Sequence, residues 1–222
     1  MTRQLLVFDL DGTLVDSLPG IAAALNAALG DLGAPPLPLP AIRTLIGDGS
    51  PALAARALAA CGLPAERRQA LLAGYLARYE ADPTALSRPF PGVPEILRQL
   101  TEAGCRLALC TNKSQRAAEA MLCGFGLRGC FAAILGGDAL PVHKPDPAHL
   151  RAAIAALGGS PGEAAMIGDN EHDAAMANAA GVPAILVRYG YARVPLAEIR
   201  AAAFIDRFAD LPAALAGLGG AG

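Results

Sequence analysis

The sequence predicts an α/β protein, with a parallel sheet, helices on both faces of that sheet and one helical insertion. A short apolar run over residues 5–8 stops at an acidic turn that contains glycine, which is typical of a strand buried on both faces. From about residue 88 onward, helical and strand-like patterns alternate, as they do where helices connect parallel strands. Between these regions the pattern is helical, so the insertion directly follows the first strand.

The insertion is rich in Ala and Leu and contains three predicted helices, over residues 18–29, 50–60 and 65–80. Ser50 followed by Pro51 favours a helix start, because serine caps the first turn and proline suits the first helical position. The proline-rich stretch 34–40 is incompatible with a helix interior, so we expect it to be an extended connection.

The region after the insertion supplies the remaining elements. The predicted helices cover residues 93–103, 114–123, 147–157 and 173–180, and the predicted strands cover 106–110, 131–135, 164–167 and 184–187. Ligands of such sheets bind at the carboxyl ends of the strands. The polar residues that follow each strand are therefore the candidates for a functional site.

Composition excludes several classes of function. The net charge is −2 and no cluster of Lys and Arg is visible, which disfavours extended nucleic-acid binding. No apolar stretch is long enough to predict a membrane span or the core of a signal peptide. The five cysteines form no CxxC pair and are odd in number, which predicts free thiols and a cytoplasmic location.

Carboxylates and one amine follow separate strands or lie in nearby loops. Asp9 and Asp11 follow the first strand, Thr111 follows the second, Lys144 precedes a helix, and Asp169 follows a later strand. Two carboxylates at one strand end can differ in role, one as a nucleophile and one as a general acid and base. This set predicts chemistry on a phosphate group.

A carboxylate that attacks a phosphate dianion needs a cation beside it. Asp9 and Asp169 offer the hard oxygen ligands that Mg²⁺ prefers. Lys144 and Thr111 can then bind the phosphoryl group, and Gly12 permits a sharp turn beside it. Asp173 can cap a helix or can hold Lys144 or a metal-bound water, and the two roles are compatible.

These residues resemble the four ordered motifs of the haloacid dehalogenase superfamily. The motifs are Asp9-Leu10-Asp11-Gly12-Thr13-Leu14, Thr111-Asn112, Lys144-Pro145, and Gly168-Asp169 followed by Asp173. The resemblance covers nearly the whole chain. It implies a Rossmann-like core over residues 1–14 and 88–222 and an inserted α-helical cap domain over residues 15–87.

The same resemblance implies a mechanism and a set of residue roles. Asp9 would form an aspartyl-phosphate and Asp11 would be the acid and base. Magnesium would be held by Asp9, the backbone carbonyl of Asp11 and Asp169. The phosphoryl group is expected to contact Gly12, Thr111, Asn112 and Lys144. The chain has Asp11, an acid that could give a proton to an alkoxide leaving group. A halide leaving group needs no such proton, so dehalogenation is disfavoured.

Within the superfamily the chain is most similar to the phosphoglycolate phosphatase family. The cap residues Gly47, Asp48, Gly49 and Arg56 contribute to this likeness and are expected to set substrate specificity. We expect hydrolysis of 2-phosphoglycolate, with Arg56 facing the substrate carboxylate. Asn170 and Ala192 depart from the residues usual in this family, Ser and Asn, and weaken the substrate assignment.

Several alternatives stay open at this point. The same chemistry could act on a sugar phosphate, a nucleotide or pyrophosphate, and a phosphomutase or a non-catalytic binding protein is a more distant possibility. The expected partner is a small phosphorylated metabolite, with the chain a monomer or a homodimer. The connectivity also predicts that the cap opens and closes about hinges near residues 15–18 and 87–91.

Overall fold

The computed structural model describes residues 4–218. Its strands, in chain order, are β1 (Leu5–Phe8), β2 (Val15–Asp16), β3 (Arg88–Pro89), β4 (Arg106–Cys110), β5 (Phe131–Leu135), β6 (Ala164–Gly168), β7 (Ala184–Val187) and β8 (Ala203–Ile205). Its α-helices are α1 (Leu18–Asp31), α2 (Leu39–Leu45), α3 (Ser50–Ala60), α4 (Arg68–Tyr79), α5 (Val93–Glu102), α6 (Gln115–Gly124), α7 (Pro147–Ala156), α8 (Glu171–Ala180) and α9 (Leu211–Gly217).

Six of the strands form one sheet in the order β5-β4-β1-β6-β7-β8. Each neighbouring pair runs parallel, and β1 lies in the interior between β4 and β6. The predicted α/β fold with a parallel sheet is therefore confirmed. Because β1, β4 and β6 are adjacent, the loops after their carboxyl ends meet at one edge of the sheet.

Both faces of the sheet are covered, which explains the continuous apolar run of β1. Leu6 and Phe8 belong to one buried cluster, which includes residues of α5, α6 and α9. Leu5 and Val7 belong to a second cluster, which includes residues of α7 and α8. Alternating side chains of one strand thus reach opposite faces, and each face excludes water with its own helices.

Helices α1 to α4 form a separate apolar cluster, to which the rest of the chain contributes Ala117 and Tyr191. The two connections to this helical block run side by side as the antiparallel pair β2 and β3, with Val15 opposite Pro89. The insertion therefore leaves and re-enters the sheet region at one place. Its treatment as a cap domain over residues 15–87 stays a prediction.

One expectation about the insertion is wrong. The proline-rich stretch is extended only over residues 34–38, because α2 begins at Leu39. Pro38 has the extended backbone of a residue before a helix, and Pro40 lies in the first turn, where its missing N–H costs nothing. Within residues 4–218, no helix has the length and apolar character to span a bilayer.

The remaining differences lie at the ends of predicted elements and near the end of the chain. Helix α8 begins at Glu171 and not at Asp173, because Asn170 caps it by accepting a hydrogen bond from the backbone N–H of His172. The sequence analysis did not predict the short strand β8 or the helix α9. Both complete the sheet edge and the apolar cluster below it.

Candidate active site

Three buried carboxylates lie together beyond the ends of β1 and β6. Ligand oxygens of Asp9, Asp169 and Asp173 lie within 4.8 Å of one another. Lys144 is buried among them, with its Nζ 2.7 Å from Asp9 Oδ1 and 2.8 Å from Asp173 Oδ1. Residues predicted from separate parts of the sequence thus converge, as the edge of a parallel sheet requires.

The electrostatics of this cluster show an excess of negative charge. Burial is the main cause that raises the pKa of Asp9 to about 6. The attraction of Lys144 opposes this rise, and repulsion from Asp173 adds to it. Burial also raises the pKa of Asp169 well above its usual value, and Asp173 and Asp9 add to the effect. Burial alone would lower the pKa of Lys144. The carboxylates of Asp173 and Asp9 have the larger effect, so the pKa of Lys144 is raised above its usual value. One ammonium does not balance three carboxylates, so the donor set fits a hard divalent cation such as Mg²⁺.

Asp169 is oriented by neighbours that hold both of its oxygens. Its Oδ1 accepts hydrogen bonds from Thr13 Oγ1 at 3.3 Å and from Asn170 Nδ2 at 3.0 Å, and its Oδ2 accepts from the backbone N–H of Tyr191 at 2.5 Å. Glycines allow this close packing. A Cβ on Gly12 would lie 2.4 Å from Asp169 Oδ2, and one on Gly190 would lie 2.2 Å from Asp169 Cβ.

The predicted turn at Gly12 is therefore needed for the approach of Asp169. Gly12 has a φ of +84°, which only glycine adopts readily. The predicted contact of Gly12 with the phosphoryl group stays a prediction. The sequence analysis did not anticipate a role for Gly190, because its proximity to Asp169 depends on the tertiary packing.

The N-cap of α8 is Asn170 and not Asp173, but Asp173 does hold Lys144, the other role that the sequence left open. It lies in the first turn of α8, where its Oδ2 accepts hydrogen bonds from the backbone N–H groups of Asp169 and Asn170 at 3.1 and 3.4 Å. Its Oδ1 binds Lys144 at 2.8 Å. With both oxygens engaged, Asp173 fixes the backbone of Asp169 and the position of Lys144 together.

Asp11 has a separate cation. Lys113 Nζ lies 2.8 and 2.9 Å from the two carboxylate oxygens of Asp11. The same ammonium lies 4.5 Å from the ring centroid of Tyr79, a cation–π contact from α4. The sequence analysis gave Lys113 no role. A lysine placed directly after a strand end, beside Thr111, was the signal available.

Asn112 acts through the backbone of neighbouring loops. Its Oδ1 accepts from the N–H of Lys144 at 2.9 Å, and its Nδ2 donates to the carbonyl of Lys144 at 3.1 Å and to the carbonyl of Gly47 at 2.8 Å. These bonds occupy the side chain of Asn112, and contact of its backbone N–H with the phosphoryl group stays a prediction. Asn112 thus holds Lys144 in place and connects it to the loop after α2. Thr111 is buried and lines the pocket, and its Oγ1 accepts from the N–H of Lys113 at 3.3 Å.

The four predicted specificity residues of the insertion divide into two groups. Gly47 and Gly49 line the pocket between the sheet edge and the helical block. Asp48 and Arg56 are not among the lining residues and bind each other at 2.5 Å. Arg56 also donates to the carbonyl of Leu45 at 3.1 Å. The geometry therefore gives no support to Arg56 as the partner of a substrate carboxylate.

Asp48 instead bridges the two parts of the molecule. It forms an ion pair with Arg193 and lies 2.7 Å from His172 Nε2, and Arg193 Nε binds Glu171 at 2.7 Å. Burial alone would raise the pKa of Asp48, but hydrogen bonds from Arg193 and Arg56 lower it below its usual value. This charged cluster joins the helical block to the rest of the molecule. Tyr191 joins the same two parts through apolar contacts.

Tyr191 connects Asp169, in the loop after β6, to the start of α1. Its hydroxyl accepts from the N–H groups of Ser17 and Leu18 at 3.0 and 3.1 Å and donates to Asp16 Oδ1 at 2.7 Å. Its own N–H binds Asp169. A single residue after β7 therefore contacts both the candidate metal site and the connection to the helical block, a link that sequence reasoning missed.

Comparisons with known proteins agree with this geometry. Residues 4–181 match the family model described as haloacid dehalogenase-like hydrolase. The chain is 44% identical over 211 residues to the phosphoglycolate phosphatase of Rhodospirillum rubrum, which covers 92% of this chain and 88% of that protein. It is 48% identical over 195 residues to the phosphoglycolate phosphatase of Cereibacter sphaeroides, covering 87% and 88% of the two chains.

The fold is also similar to that of a solved structure. The crystal structure of a predicted phosphoglycolate phosphatase from Haemophilus somnus 129pt superposes with a TM-score of 0.92 at 32% identity, over 96% of this chain and 98% of that one. The family match covers most of the chain and includes Asp9, Asp11, Lys144 and Asp169. This chain therefore belongs to the haloacid dehalogenase-like hydrolase family.

Proposed function

We propose that this phosphatase hydrolyses 2-phosphoglycolate to glycolate and phosphate, with Mg²⁺ and through an aspartyl-phosphate on Asp9. The observation that carries the proposal is the buried group of Asp9, Asp169 and Lys144 beside the Asp11–Lys113 pair. The names of the Rhodospirillum rubrum and Cereibacter sphaeroides relatives support the choice of substrate.

In the first step, a carboxylate oxygen of Asp9 attacks the phosphorus atom and the bond between phosphorus and the ester oxygen breaks. The leaving alkoxide takes a proton from the carboxyl group of Asp11, which must be protonated at that moment. Lys144 places a positive charge beside Asp9 and reduces the repulsion between the carboxylate and the phosphate. Glycolate departs and Asp9 carries the phosphoryl group.

In the second step, a water molecule attacks the phosphorus atom of the aspartyl-phosphate and gives its proton to Asp11. The bond between Asp9 and phosphorus breaks, which releases phosphate and restores both carboxyl groups to their starting states. The buried position of Asp9 limits access to the intermediate, since only 3% of the residue is exposed. The helical block is proposed to cover the pocket as a cap during the first step.

Magnesium would be held by Asp9, Asp169 and the backbone carbonyl of Asp11. It would supply positive charge for the phosphoryl oxygens and for the attacking carboxylate. Asp173 would keep Asp169 in place from outside the ligand set, through the backbone hydrogen bonds described above. The five free cysteines are consistent with a reducing compartment, and we place the protein in the cytoplasm.

The test is phosphate release from a panel of phosphomonoesters, with Mg²⁺ and with EDTA. We expect 2-phosphoglycolate to give the highest kcat/KM, and EDTA to abolish turnover. Asp9→Asn should lower kcat by about 10³-fold or more, because an amide is not a nucleophile of useful strength. Exposed Asp31, at the end of α1, supplies the control Asp31→Asn. Equal rates for the parent and Asp9→Asn would disprove the covalent mechanism.

The same panel contains the other small phosphometabolites that the family chemistry allows. A higher kcat/KM for a sugar phosphate, a nucleotide or pyrophosphate would keep the phosphatase mechanism and replace the substrate. Transfer of the phosphoryl group from the enzyme to a sugar, with no release of phosphate into solution, would instead indicate a phosphomutase.

A further inference from the structure

Lys113 carries an ammonium group that is buried in the pocket wall and is separate from that of Lys144. Its side chain is 5% exposed, and Asp11 is its only ion-pair partner among residues 4–218. Two of its contacts go to the oxygens of Asp11, and the ring of Tyr79 lies beside it. An ammonium has three N–H donors, so Lys113 retains capacity for a further acceptor.

The chemistry of the substrate places its carboxylate near this residue. In 2-phosphoglycolate a single methylene separates the carboxylate from the ester oxygen. Asp11 must reach that ester oxygen to protonate it. The substrate carboxylate is therefore adjacent to Asp11, and Lys113 is the cation that contacts Asp11.

The other cations near the pocket are committed elsewhere. Lys144 binds Asp9 and Asp173 at the phosphoryl end. Arg193 lines the pocket but is paired with Asp48 and Glu171. Arg56 does not line the pocket at all.

The rest of the wall contributed by the helical block is largely apolar. Its side chains include Ile21, Ile46, Leu53, Tyr75 and Leu76, and its polar members include Ser50 and Glu80, which accepts a hydrogen bond from Ser114. A carboxylate that entered this wall without a cation would lose hydration with no compensating ion pair. Among residues 4–218, Lys113 is the pocket-lining cation that is paired with Asp11, beside which the substrate carboxylate is expected.

We infer that Lys113 binds the substrate's carboxylate, and that it makes the site selective for phosphate esters that carry a carboxylate one methylene from the ester oxygen. This inference rests on the proposed function, since it concerns the substrate of that reaction. Lys113 thus contacts both the substrate carboxylate and the carboxyl group of Asp11. Its contact with the substrate aligns the ester oxygen with Asp11.

The test compares 2-phosphoglycolate with ethyl phosphate, which has the same ester geometry and no carboxylate. Lys113→Met should lower kcat/KM for 2-phosphoglycolate by about 100-fold and that for ethyl phosphate by less than about tenfold. Lys113→Arg, which keeps the charge, should recover part of this selectivity. Arg56→Ala, the matched control, should leave the ratio of the two efficiencies unchanged.

Inhibition of the parent protein gives a reading that does not depend on the folding of any variant. Glycolate should inhibit hydrolysis of ethyl phosphate, whereas glycolamide, which is neutral at the same position, should inhibit at least about tenfold less. Lys113→Met should lose inhibition by glycolate and retain inhibition by inorganic phosphate. Equal inhibition by glycolate and glycolamide would overturn the inference.

The outcomes separate this inference from the proposed function. A parent that prefers 2-phosphoglycolate, with a preference that Lys113→Met leaves intact, overturns the role of Lys113 alone. Loss of the preference in Arg56→Ala and not in Lys113→Met would assign the carboxylate to Arg56 and overturn it too. A parent that hydrolyses both esters with equal efficiency overturns the role of Lys113 and the substrate assignment together.

Discussion

The two walls of the pocket are built differently. The wall at the sheet edge consists of charged and polar groups that hold one another, such as Asp169, which accepts hydrogen bonds on both oxygens. The wall from the helical block is mainly apolar, and Asp48 at its margin forms ion pairs with Arg193 and His172. Groups that perform chemistry need fixed positions, whereas a cover that admits substrate needs contacts that can break. Under the proposed function, this difference assigns the reaction type to the sheet edge and substrate access to the helical block.

The largest effect is expected at the centre of the sheet-edge wall. Lys144→Met leaves Asp9 and Asp173 buried without their ammonium partner, which should lower the free energy of unfolding by about 3–5 kcal/mol at neutral pH. It should also remove most phosphatase activity. Urea unfolding in EDTA, followed by circular dichroism, measures the change.

The pH dependence of this loss has a definite sign. Loss of the ammonium should raise the pKa of Asp9 in the folded state further above about 6. The folded variant then binds more protons than the unfolded chain, so its stability increases as the pH falls. The difference from the parent should therefore shrink as the pH falls toward about 6, and it should level off below that pH, where Asp9 of the parent also binds a proton. A constant difference from pH 8 to pH 5 would contradict the buried-charge explanation.

A second substitution tests how tightly the candidate metal site is packed. Gly190→Ala places a Cβ 2.2 Å from Asp169 Cβ, so Asp169 must move. We expect the affinity for Mg²⁺ to fall by about 10–100-fold, as when a supporting contact of a metal ligand is lost. The rise in Tm with added Mg²⁺ reports this affinity without an activity assay.

Gly30→Ala is the matched control for this change. A Cβ on Gly30, in α1, would meet no atom within 4 Å. Alanine in a helix should stabilise the protein by up to about 1 kcal/mol and leave Mg²⁺ binding unchanged. If both variants bound Mg²⁺ like the parent, the close approach of Gly190 to Asp169 would not matter to the site.

A smaller effect is expected where the two walls meet. Asp48→Asn removes the ion pairs to Arg193 and Arg56, and we expect KM to rise by about three- to tenfold with little change in kcat. Asp31→Asn breaks an exposed pair with Arg78 within the helical block and should change neither constant. A fall in kcat with KM unchanged would place Asp48 in the chemistry and not in the closure of the pocket.

The smallest effect is expected at Arg56. Its contacts with Leu45 and Asp48 stabilise the loop that carries Gly47 and Gly49. Arg56→Ala should therefore lower kcat/KM for 2-phosphoglycolate and for an aryl phosphate equally, by less than about fivefold. A loss confined to 2-phosphoglycolate, measured by phosphate release, would restore Arg56 as the carboxylate partner.

Local patterns in the sequence predicted most of the fold. The apolar run of β1 and the alternating elements after residue 88 were sufficient to predict a parallel sheet. A strand that is buried on both faces must consist mainly of apolar residues. The start of α2 was missed because proline in the first helical turn and proline in a connection have the same sequence signature. The short strand β8 has too few residues to show a periodicity.

What the sequence alone determined is a set of candidate reacting groups, since Asp9, Asp11 and Asp169 follow recognisable strand ends and Lys144 lies shortly before a helix. Only the tertiary structure decided how other side chains serve them. Lys113 rather than Arg56 lies beside Asp11, and the side chain of Asn112 binds the backbone of Lys144. These pairings join residues far apart in the chain. They depend on the positions that packed helices and strands give to loops, which no local pattern encodes.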